Sequence, residues 1–117
     1  MTDGKVVLRY RDGRTERATL EPIDPSREML VVRRDDGGTD EVPFAALKAV
    51  FFPQALGEEL EPAIGMQIAV EFNDGEVIRG IAQYNPERNG FFLFPIDRTK
   101  NDRIFVVNSA IVSIEVT

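Results

Sequence analysis

Four arginines stand close together near the start of the chain, at Arg9, Arg11, Arg14 and Arg17. Guanidiniums at this density can bind a carboxylate-rich partner or a phosphate through paired hydrogen bonds. The competing reading is a solvated outer face, balanced by Asp12, Glu16 and Glu21. The side chains that most often carry catalysis are missing. The 117 residues include no histidine and no cysteine, which removes the commonest general base, the commonest transition-metal ligand, thiolate chemistry and disulfides. Carboxylates are plentiful, but Asp35-Asp36, Asp40-Glu41 and Glu58-Glu59 fall in expected loops or linker, without the fixed spacing a general acid and base require. The run from Asp35 to Asp40 lacks the alternating ligands and closing glutamate of a calcium loop. No glycine-rich phosphate cradle and no nucleophile beside a base occurs. We therefore expect no catalytic, cofactor-binding or metal-ligating residue and a non-enzymatic protein.

Recognition is the remaining chemistry. Beside the arginine row, Arg88 sits in the turn-forming stretch Asn85-Pro86-Glu87-Arg88-Asn89-Gly90, where it can project toward an acidic surface. The pairs Phe51-Phe52 and Phe91-Phe92 lie in strand-like segments. Neighbours in a strand face opposite ways, so one phenylalanine of each pair must leave its own core. Phe51 and Phe91 are taken as the outward members, covered first by contact between two halves of the chain and second by a partner or a second copy. A net charge of −6 argues against binding a phosphate backbone as the main activity. The N-terminus has no apolar leader, and no apolar run approaches the roughly 20 residues of a membrane span. A cytoplasmic location is expected.

The elements that position these residues come in two sets. Val6-Val7-Leu8-Arg9-Tyr10-Arg11-Asp12-Gly13 aligns with Ile68-Ala69-Val70-Glu71-Phe72-Asn73-Asp74-Gly75 at an offset of 62. The same offset places Met29–Val32 over Phe91–Phe94, and an offset of 64 places Ala46–Phe52 over Ala110–Val116. A whole strand pattern repeated in order marks an internal duplication. Each copy reads as five short strands. Asp-Gly closes the first hairpin, and a single helical turn (Ala45–Leu47 or Asn108–Ala110) precedes the last strand. The predicted organisation is a first unit over 1–52, an acidic linker over 53–65 and a second unit over 66–117. Fifty residues bury little surface alone, so the two units must pack together. At duplicate positions the arginine row becomes Glu71, Asn73, Glu76 and Arg79, so equivalent faces differ in sign and one half could attract the other.

The fold class expected is all-β: two tandem SH3-like or Sm-like five-stranded small barrels joined by the acidic linker. The second half resembles the Sm and Hfq-type fold through Val70–Gly75, Gly80 and Phe105–Ile114. Asn108-Ser109 replaces the basic pair that those RNA-binding proteins carry before the last strand. More of the chain resembles a bacterial tandem-barrel domain family without assigned activity, on Asp74–Val77, Tyr84–Pro95, Asn101–Val107 and Leu47–Phe52. In size and character the chain is also similar to small acidic myxobacterial polarity regulators, which act with a response regulator on a motility GTPase. The arginine spacing of the PilZ cyclic-di-GMP receptors is absent. These resemblances imply an adaptor or regulator that binds signalling proteins, a response regulator or small GTPase, in motility or cell polarity. The alternatives are an Sm-like nucleic-acid-binding module and a purely structural or oligomerising domain.

Overall fold

The computed structural model describes residues 5–20, 28–33, 37–53, 64–84, 89–96 and 101–117. They form ten strands: β1 (Lys5–Tyr10), β2 (Thr15–Leu20), β3 (Met29–Arg33), β4 (Thr39–Pro43), β5 (Leu47–Pro53), β6 (Met66–Phe72), β7 (Val77–Ala82), β8 (Gly90–Pro95), β9 (Asn101–Val107) and β10 (Ile111–Val116). One 3-10 turn, Phe44–Ala46, precedes β5 and another, Asn108–Ala110, precedes β10. The described protein is all-β, and every pairing is antiparallel.

The duplication is visible in individual hydrogen bonds. In the first hairpin the Tyr10 N–H donates to Arg14 O at 2.9 Å and the Gly13 N–H to Tyr10 O at 3.1 Å. In the β6–β7 hairpin the Phe72 N–H donates to Glu76 O and the Gly75 N–H to Phe72 O, both at 2.9 Å. Gly13 and Gly75 adopt φ of 94° and 89°, the left-handed conformation that closes such a hairpin. Asp12 Oδ1 accepts from the Arg14 N–H, and Asp74 Oδ1 from the Glu76 N–H, each at 3.0 Å. Both last strands slip register at matching places, between Arg9 and Tyr10 against β5 and between Ile111 and Ser113 of β10. Lys48 and Val112 are the extra residues of these two bulges.

The sequence predicts two packed units, and the structure joins them more closely than packing. All ten strands make one sheet in the order β10-β6-β7-β8-β9-β5-β1-β2-β3-β4. Strands β5 and β9, from opposite halves, pair directly through Ala49↔Val106, Val50↔Phe105, Phe51↔Ile104 and Phe52↔Arg103. Side chains of both strands then alternate between two cores. Ile104 and Val106 enter the second core with Ile68, Val70, Phe72 and Leu93, whereas Phe105 and Val107 cross into the first core with Val6, Leu8, Leu30 and Leu47. In β5, Leu47 and Val50 serve the first core and Ala49 serves the second. This alternation, interrupted in β5 only by the Lys48 bulge, is the period-two geometry of a strand buried on both faces. The first core is therefore completed by residues from the other half of the chain, with Phe105 and Val107 buried in it. Most of the linker expected over 53–65, the loop over 21–27 and Asp35-Asp36 lie outside the described residues.

Candidate functional site

The first-half arginines do not form an open cluster. Arg9 reaches across to the second half, where its Nη1 lies 3.3 Å from Glu76 Oε1 and its guanidinium sits 4.8 Å from the Phe51 ring centroid. Arg11 donates to Ala45 O at 3.4 Å. Arg14 folds back onto its own hairpin, 2.8 Å from Asp12 Oδ2 and 4.6 Å over Tyr10. Arg17 is exposed. Three of the four guanidiniums thus already hold intramolecular partners, and the opposite charges of the equivalent faces join the halves.

Sequence reasoning missed the centre of that junction, which is Lys48. Its side chain is 6% exposed, and its Nζ pairs with Asp74 Oδ2 at 2.7 Å and with Glu76 Oε1. The ammonium also lies 4.8 Å from the Phe72 centroid. Hydrogen bonds from Lys48 and from the Glu76 backbone hold the Asp74 carboxyl below its ordinary value. Asp12 is lowered in the same way by the Arg14 backbone and side chain. A lone lysine inside the apolar run Leu47–Phe52 was the available signal. Only the bulge explains how it reaches the other half.

The phenylalanine pairs divide between the cores, one member of each leaving its own half, though in the second pair it is not Phe91. Phe51 does leave its own core, packing against the second one. Phe91 is not outward: it is 4% exposed and belongs to the second core, with Tyr84 edge-on at 5.2 Å. Its neighbour Phe92 crosses to the first core instead. The reason is register: Phe92 pairs with Phe105, and both face the first half. Phe44, Phe105, Phe92 and Phe52 form a chain of ring contacts at 5.7, 5.2 and 5.7 Å. The Arg103 guanidinium lies 4.9 and 5.0 Å from the Phe52 and Phe92 centroids. Such pairs add about 0.5–1.5 kcal/mol each beyond burial.

Two open features remain. A groove of about 410 Å³ runs between the 3-10 turns and is lined by Glu28, Met29, Phe44, Asn89, Asn108 and Ser109 among others. Asn89 and Asn108 meet there, the Asn108 N–H donating to Asn89 O at 2.8 Å, which places both turn segments at one pole as the strand order predicts. Arg88, expected to project from this loop, lies outside the described residues. The second feature is the β10 edge. Of the eight large apolar side chains left exposed among the described residues, Ile64, Met66, Val112 and Val116 belong to β10, to neighbouring β6 or to the residues leading into β6. Val112 and Val116 are 60% and 63% exposed.

A family model described as a family of unknown function, DUF6982, matches residues 2–117. The chain belongs to the DUF6982 family. No curated protein and no solved structure matches it. The match covers both halves together, so the DUF6982 unit is the whole ten-stranded sheet. Among the described residues of this DUF6982 chain, no group of three or more Asp and Glu side chains is placed to hold a metal ion. No described helix is long and apolar enough to cross a membrane.

Proposed function

We propose that this chain is a non-enzymatic cytoplasmic adaptor or regulator, built from two small SH3-like or Sm-like barrels fused through one sheet. Its partner is a signalling protein, a response regulator or small GTPase acting in motility or cell polarity. The observation that carries this reading is the β10 edge, where Val112 and Val116 are among the large hydrophobic side chains left exposed in the described residues. Apolar side chains exposed together on an outer strand mark a protein-binding surface. Three of the four arginines of the row, Arg9, Arg11 and Arg14, are engaged within the molecule, which weighs against a phosphate-tracking face. An adaptor of this kind acts on a GTPase by binding one nucleotide state better than the other, which shifts the population toward that state.

The test is affinity capture from native bacterial lysate with the intact chain and with a Val112→Lys/Val116→Lys variant. The expected result is a response regulator or small GTPase retained by the intact chain and lost from the variant. Retention of RNA that disappears with added salt and with Arg11→Ala/Arg17→Ala replacement would instead establish an Sm-like nucleic-acid module. Recovery of the chain alone would leave it a structural domain.

A further inference from the structure

The β5–β9 junction shows how a strand is received in this fold, and the molecule carries a second copy of the receiving edge. Strand β10 duplicates β5, yet among the described residues it has a neighbour on one side only, β6. The consequence appears in the cores. Leu47 and Val50 of β5 are fully buried, whereas their counterparts Ile111 and Ile114 of β10, though packed against the second core, remain partly exposed. The first core has Phe105 and Val107 from β9, and no described residue plays the equivalent part for the second core beside β10.

A second copy of the chain is a poor donor. Strand β4 duplicates β9 and is the other outer strand of the described sheet, but Glu41 and Pro43 occupy the positions of Phe105 and Val107, and both are exposed. Head-to-tail pairing would put a carboxylate into the second core, set Asp40 opposite Glu115, and offer a proline where β9 has a valine. Charges and proline on an edge strand are standard guards against self-pairing. The ionic clasp of the junction is not repeated either: Lys48 becomes Val112, and Glu76 becomes Arg14, which is held by Asp12.

We infer that β10 is a receptor edge for an extended segment of another protein, which adds antiparallel to it as β9 adds to β5. This rests on the adaptor reading and specifies its partner chemistry. Residues facing the second core, opposite Ile114 and one pair further along, must be bulky and apolar, like Phe105 and Val107. Residues facing the other way meet Ser113 and Glu115, with Glu71 beside Ser113, so they are basic. The partner segment is an alternating basic–apolar strand, recognised by main-chain bonds and side-chain pockets together.

A fluorescent heptapeptide, Asp-Arg-Lys-Phe-Lys-Val-Asn, carries that pattern in the β9 register. Anisotropy with the full chain should show saturable binding with Kd of about 1 mM or tighter, and hydrogen exchange should slow at β10. Replacing the peptide's Phe and Val by Glu and Pro, the β4 residues, should abolish binding. Val112→Lys/Val116→Lys should weaken it about tenfold or more while leaving the circular dichroism unchanged, because both side chains are exposed. No saturation, equal binding of the Glu/Pro peptide, or protection at β4 would overturn strand addition. So would concentration-dependent self-association of the unmodified chain that the Val112→Lys/Val116→Lys variant abolishes. Loss of a captured signalling protein with that variant, combined with no peptide binding, would sink strand addition and leave the adaptor reading standing.

Discussion

At the scale of single residues, Lys48 and its two carboxylates hold the halves in register. The lysine is buried, while the Asp74 and Glu76 side chains are 53% and 42% exposed, so the partners are not equivalent. Removing the lysine lets both carboxylates return to water. Removing both carboxylates strands a buried ammonium, which is the more damaging change. Asp74→Ala/Glu76→Ala should therefore lower the urea midpoint more than Lys48→Met, and equal midpoints would contradict the assigned asymmetry. The lowered Asp74 carboxyl also fixes the sign of a pH effect. Its contribution is fully present above the ordinary carboxylate value of 3.8 and is lost as pH falls through the lower folded-state value. Thermal unfolding followed from neutral pH down through the carboxylate range should show an acid loss that shrinks in Asp74→Asn.

At the scale of strands, β9 and β4 are the same element put to different uses. The Phe105 side chain is fully buried in the first core although its strand belongs to the second half. Phe105→Ala should cost about 3–5 kcal/mol, and denaturant unfolding followed at probes in either half should report the same loss. The opposite experiment acts on β4. Glu41→Phe/Pro43→Val gives that edge the residues of β9 and removes its guards. Sedimentation velocity should then show concentration-dependent association, reversed by Val116→Lys. A variant that stayed monomeric would mean that β10 is not equivalent to β5 as a receiving edge.

For the whole molecule, the exchange of core residues makes the two halves one cooperative body. The Cα radius of gyration, 13.7 Å, is close to the roughly 13 Å expected of a single compact chain of this length. A fragment ending at Pro53 lacks Phe105 and Val107 and exposes β5 along its length, so it should be unfolded by circular dichroism and far-UV melting. Adding the 64–117 fragment should restore sheet structure. Much of this architecture was legible in the residues. The Asp-Gly turns, the alternating apolar strands and the single turn before each last strand are local signals, and a repeat of local signals survives in sequence. The all-β class and the succession of five short strands in each half therefore follow from the chain alone. Which strand of one half meets which strand of the other does not, because pairing across some fifty residues depends on complementarity that no local pattern carries. That choice decided that Phe92 rather than Phe91 crosses between the cores and that Arg9 is a clasp rather than a receptor. It also decided that, of two identical kinds of edge, β5 is covered and β10 is left open.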